Sequence, residues 1–117
     1  MATDPNCVFC KIVSGAIPAP RLGENEHAIA FRDLNPQAPT HALVVPKAHH
    51  ASLAAVPADQ DAVLGQLLAL AREVAASLGV AARGYRVVIN TGPEGGQVVP
   101  HLHVHLLAGR QMGWPPG

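Results

Sequence analysis

The sequence predicts an α+β fold in one domain spanning residues 1–117, and three observations carry that reading. Short β-branched or alternating runs recur along the chain, one long segment repeats apolar residues at helical spacing, and proline or glycine separates the runs.

The elements follow in order. Cys7 to Val13, apolar at Val8, Phe9, Ile12 and Val13 and stopped by Ser14-Gly15, predicts a brief helix or turn. Between Arg21 and Leu34, Ala28, Ala30 and Arg32 alternate with Ile29, Phe31 and Asp33, which predicts a half-buried strand preceded by a shorter extended piece. Asn35-Pro36-Gln37-Ala38-Pro39 forces a loop. Thr40 to Pro46, opened by His41 and carrying Leu43-Val44-Val45, reads as a buried strand. The long helix starts at Pro57, repeats Val63, Leu64, Leu67, Leu68, Ala71, Val74, Ala75 and Leu78, and meets Gly79. Tyr85 to Asn90 is a strand feeding Thr91 to Gly96, a glycine-rich loop suited to close backbone approach, and His101 to Ala108 is the last strand. The sum is an antiparallel sheet of about five strands with one long helix on a face and a short N-terminal helix.

Composition narrows the function classes. The chain has 117 residues, 49% of them apolar, with eight basic and eight acidic side chains and no basic run. A polymeric nucleic acid partner therefore lacks its electrostatic footprint. No run is long enough to span a membrane, and Met1-Ala2-Thr3-Asp4-Pro5-Asn6 does not resemble a leader, so the expected compartment is the cytoplasm. There Cys7 and Cys10 stay reduced, leaving a Cys-x-x-Cys pair open to metal binding, to redox chemistry or to plain burial.

Side chains on a strand alternate faces, so His101, His103 and His105 project to one side while Leu102, Val104 and Leu106 face the other. Such a row is either the polar face of an amphipathic strand, a metal patch or a catalytic surface. With reference pKa values of about 6.5, packed imidazoles cannot all be charged near neutral pH, which leaves at least one as a neutral nucleophile or base. No Walker-type loop and no carboxylate cluster for magnesium occurs, which disfavours metal-assisted phosphate hydrolysis.

His101-Leu102-His103-Val104-His105-Leu106-Leu107 resembles the signature of the histidine-triad nucleotide-binding proteins. Phe31 to His41, Val44-Val45-Pro46-Lys47, Asn90, Gly95-Gly96-Gln97 and the tail Gly109 to Gly117 resemble its purine nucleoside phosphoramidase branch. The resemblance covers the chain from Cys7 onward. It implies a hydrolase or transferase of nucleoside phosphoramidates in which His103 takes the nucleoside monophosphate group covalently and water then releases it. His101, His105 and His41 complete the catalytic set, the last two as donors to the phosphoryl oxygens. Asp33 would accept from the ribose hydroxyls with Leu34 beside it, though on its own it reads more often as a turn former before Asn35-Pro36. Asn90 and the Gly96-Gln97-Val98 segment would hold the phosphate, and Phe9, Ile12, Ile17, Phe31 and Leu43 would wall the purine. The resemblance also implies a structural zinc on Cys7, Cys10, His49 and His101, no organic cofactor, and a homodimer whose Trp114-Pro115-Pro116 tail reaches the partner's site. His27 and His50 read as surface residues. Val98, where the branch commonly carries a hydroxyl, is the main departure, with Pro100 and Gly113 as lesser ones. A dinucleoside polyphosphate hydrolase and a purine-nucleotide-binding regulator with little turnover are the alternatives.

Overall fold

Every second residue of the central strands packs on the long helix, and the residues between pack on the short one. A computed structural model describes residues 3–117, so Met1 and Ala2, the start of the stretch read for a leader, lie outside it. Strands β1 (Arg21–Glu24), β2 (Ala28–Arg32), β3 (Thr40–Pro46), β4 (Tyr85–Val88) and β5 (Val104–Ala108) form one antiparallel sheet ordered β1-β2-β3-β5-β4. Helix α1 (Val8–Ser14) and helix α2 (Asp61–Ser77) complete it, with 3₁₀ turns at Leu53–Ala55 and Ala58–Gln60.

On one face Ala28, Ala30, Ala42, Val44, Leu102, Val104 and Leu106 meet Leu67, Leu70, Ala71, Val74 and Ala75 of α2. Each large aliphatic side chain buried there contributes about 1.5–3 kcal/mol. β1 approaches the helix so closely that a Cβ on Gly23 would stand 3.1 Å from Val74 and 3.2 Å from Leu70. On the other face Ile29, Phe31, Leu43 and Val45 meet Cys7, Phe9, Cys10 and Ile12 of the α1 segment.

That second layer corrects one expectation: β2 is buried at four of its five residues and not half-buried, because α2 covers one of its faces and α1 the other. Helix α2 begins at Asp61, not Pro57, since Pro57 has an extended ψ of 146° and leads into the separate 3₁₀ turn. Leu68 of the periodic set is exposed, and Leu70, which that set omits, is buried. β4 ends at Val88, ahead of Ile89 and Asn90.

The last strand also starts late, at Val104. Ahead of it, histidine side chains occupy carbonyls that a ladder would use: His101 Nε2 lies 3.0 Å from Pro46 O and His103 Nδ1 lies 2.7 Å from His101 O. The alternation survives outside the ladder, with Leu102 on the α2 core and His101 and His103 against Phe9. No helix of the described residues is long and apolar enough to cross a membrane.

Candidate active site

Register places the polar groups. Phe31 pairs with Leu43 and Leu43 with His105, so these three form a row across β2, β3 and β5. Asp33 N bonds His41 O at 3.0 Å, which sets Asp33 beside His41 in the adjacent row on the same face.

Hydrogen bonds then fix where the ring protons sit. His41 Nδ1 accepts from the Gln37 amide at 3.0 Å, so its proton is on Nε2. That Nε2 lies 2.9 Å from His105 Nδ1 and 3.3 Å from Asp33 Oδ2. Donating to His105 Nδ1 leaves the His105 proton on Nε2. Burial lowers the pKa of His41 against the pull of Asp33. Burial, followed by His103 and His41, lowers that of His105 to about 4. Both rings are thus neutral donors near pH 7. The trio Asp33, His41 and His105 is compact enough for a metal ion, but the Gln37 amide occupies Nδ1 of His41, where a metal on Nε2 would need a proton. The trio suits proton transfer better.

His103 is buried and gives Nδ1 to the His101 carbonyl, so the proton is there and Nε2 keeps its lone pair. Phe9 braces this ring edge-on at 5.3 Å between centroids, and braces His101 and Phe31 at 5.7 Å each.

His103, His105 and His41 open on a cavity of about 580 Å³, walled by Phe9, Ile12, Ile17, Phe31 and Leu43 with Asp33, Leu34, Asn90, Gly96 and Val98 around its edge. Leu34 and Val98 are 85% and 89% exposed. Val8, which the sequence places near the purine wall, lines it too, as do Gln37 and Val99; the last two lack a chemical signature in the sequence, and only their place beside named residues could have pointed to them. Two expected residues stand elsewhere. Gln97 turns away from the cavity and staples the loop: Oε1 accepts from Gly92 N, and Nε2 donates to Ala51 O at 2.7 Å and Val99 O at 3.0 Å. That loop needs glycine at 95, where a Cβ would fall 2.3 Å from Thr91 O.

His101 is the other. It is fully buried, and its protonated Nε2 on Pro46 O directs the Nδ1 lone pair at Cys7 Sγ, 3.2 Å away, Cys10 Sγ at 3.6 Å and His49 Nδ1 at 3.2 Å. Cys10 Sγ is 3.4 Å from His49 Nδ1. These four donors lie within 4.8 Å of one another. Zinc bonds of about 2.0–2.3 Å demand tetrahedral edges of about 3.3–3.8 Å, close to the separations of 3.2, 3.2, 3.4 and 3.6 Å between these atoms. The donor set therefore fits zinc. Burial raises the pKa of the Cys10 thiol, a cost that a bound cation offsets. The amides of Cys10 and Asp4 point at the two sulfurs.

His50 is half-buried, not a surface residue: its carbonyl accepts from Leu102 N at 2.7 Å, and its Nε2 is enclosed without a partner among the described residues.

A five-stranded α+β sheet with alternating histidines at a walled cavity, backed by a Cys2His2 cluster, defines the histidine-triad class. The HIT domain model matches residues 14–112, and the chain belongs to this family. It is 49% identical over 116 residues to a 14 kDa zinc-binding protein of Zea mays, covering 97% of this chain and 90% of that one. It is 44% identical over 117 residues to an adenylylsulfatase, HINT1, of Arabidopsis thaliana, covering 98% and 79%. The crystal structure of a HIT family hydrolase from Legionella pneumophila superimposes with a TM-score of 0.92 at 49% identity, covering 96% of this chain and all of that one.

Proposed function

We propose that this chain is a nucleotide hydrolase acting on nucleoside phosphoramidates of the adenosine monophosphate–amine type, with His103 as the nucleophile. The observation that carries the reading is the bond from His103 Nδ1 to the His101 carbonyl, which leaves Nε2 as the nitrogen free to bond phosphorus. Nε2 attacks phosphorus, the P–N bond of the substrate breaks, and the departing amine takes up a proton from solvent, leaving the nucleotidyl group on a cationic ring that keeps its Nδ1 proton. Water then adds to phosphorus, breaks the phosphorus–histidine bond and returns one proton to solvent, which releases the nucleotide and a neutral ring. Protonated Nε2 of His105 meets the charge developing on the phosphoryl oxygens, and His41 holds His105 in that tautomer. Asp33 faces the ribose, Asn90 and the Gly96–Val98 segment the phosphate, and the apolar wall the base.

Zinc on Cys7, Cys10, His49 and His101 would be structural, since four protein donors leave no open position. The relatives named as a zinc-binding protein, an adenylylsulfatase and a hydrolase support this reading. It includes a cytoplasmic setting, which keeps the thiols reduced, and a homodimer. β4 is a sheet edge, and Trp114 is 82% exposed; sedimentation tests the dimer.

Val98 favours a second reading, a purine-nucleotide regulator, because an exposed isopropyl group stands where the family resemblance places a hydroxyl near the leaving group. Steady-state hydrolysis of a fluorogenic adenosine phosphoramidate by wild type, His103→Ala and Val98→Ser separates the two. Turnover in wild type, lost in His103→Ala, is the expected outcome, with Val98→Ser faster. No turnover in wild type, tight binding of adenosine monophosphate and activity in Val98→Ser would make the chain a regulator.

A further inference from the structure

The nucleotide cavity is short of acidic protons. Among the described residues its lining holds no hydroxyl, thiol or ammonium group, and the loop hydroxyl of Thr91 is buried outside it. The protons its histidines carry are committed. That of His41 Nε2 is shared between His105 Nδ1 and Asp33 Oδ2, and that of His103 Nδ1 is held by the His101 carbonyl. His105 keeps one proton on Nε2, which serves the phosphoryl oxygens. With a pKa lowered to about 4 by burial, its ring is no imidazolium near pH 7, and a neutral imidazole is too weak an acid to protonate a departing amine. Asp33 is an acceptor at both oxygens, from the Asn35 amide at Oδ1 and toward the His41 N–H at Oδ2. The amide groups of Gln37 and Asn90 and the Arg32 guanidinium do not release protons near pH 7.

In-line displacement sends the leaving group away from these rings. His103 is buried at the inner end of the cavity, so a group displaced from phosphorus departs on the opposite side, toward the mouth. Leu34 and Val98 stand exposed there, and neither side chain has a labile proton. The tail of a second copy would bring none, because residues 110–117 contain no hydroxyl, thiol, imidazole or ammonium group.

We propose that Val98 is a specificity-determining residue: the mouth it forms supplies no proton, so this chain favours substrates whose leaving group departs as a weakly basic anion over those that release an alkylamine. This rests on His103 being the nucleophile. In an amide substrate the bond from His103 Nε2 to phosphorus forms as the P–N bond breaks. The P–N electron pair goes to nitrogen, and hydronium or a buffer acid entering past Val98 supplies the proton that completes the amine. In an aryl ester the P–O electron pair leaves on a phenolate, and no proton is required.

The test compares kcat/KM for two conjugates of adenosine monophosphate, an alkylamine phosphoramidate and a para-nitrophenyl ester. The full, zinc-loaded chain is assayed in imidazole buffer raised in concentration at constant pH and ionic strength. The amide value should climb with imidazolium while the ester value stays level. Val98→Ser, which sets a hydroxyl in the mouth, should raise the amide-to-ester ratio by about tenfold, less than a fully placed acid gives, and flatten the climb. An amide value indifferent to imidazolium in wild type overturns the inference, because the proton then comes from the protein. An unchanged ratio in Val98→Ser overturns it as well. Turnover of the ester without the amide would remove the phosphoramidate reading and uphold this one, whereas amide turnover indifferent to imidazolium would do the reverse. Turnover of neither removes both.

Discussion

His41 Nε2 stands 2.9 Å from His105 Nδ1, and the proton between them belongs to His41 because the Gln37 amide claims its other nitrogen. His41 thereby acts through His105 as a positioning residue. His41→Leu frees His105 to adopt either tautomer. It should lower kcat by about a hundredfold, in the range of a misplaced proton donor, while KM changes less than threefold. Equal changes in both would mean that His41 binds substrate and orients nothing.

Acid should unfold the protein through this same pair. The pKa of His105 is lowered to about 4 from 6.5, and that of His41 is also lowered. Between those limits the unfolded chain binds protons that the folded chain refuses. Stability is therefore full above pH 6.5 and falls as pH drops toward 4. Urea denaturation across this window should show a shallower loss in His105→Gln than in wild type. Parallel profiles would exclude His105 as a source of the acid sensitivity.

Removing zinc should be felt in the nucleotide cavity. Phe9 lies between Cys7 and Cys10 in sequence, and its ring braces His101, His103 and Phe31. Chelation, or Cys7→Ser, should lower Tm by about 10 °C, the equivalent of roughly 2 kcal/mol for a domain of this size, and weaken binding of adenosine monophosphate. Unchanged Tm after chelation would contradict a structural ion.

The features the sequence made legible are those tied to chemistry or to a clean period. The row of His101, His103 and His105 was readable because the two-residue period needs only extended backbone, which persists where the ladder does not. Cys7, Cys10, His49 and His101 could be grouped only through family resemblance, since 94 residues separate Cys7 from its nearest imidazole partner. Burial of both faces of β2 was hidden because alternation does not tell whether a second helix covers Ile29 and Phe31. Gln97 misled for a different reason: an amide beside a glycine loop suits a phosphate and a backbone staple alike, and only the positions of Ala51 and Gly92 decide.

The most direct test of the central claim is intact-protein mass spectrometry of the wild type, quenched without acid during turnover of an adenosine phosphoramidate, with peptide mapping of any adduct. A nucleotidyl group on His103, absent from His103→Ala, is the expected result. Turnover with no adduct in wild type, or an adduct on another residue that survives in His103→Ala, would contradict it.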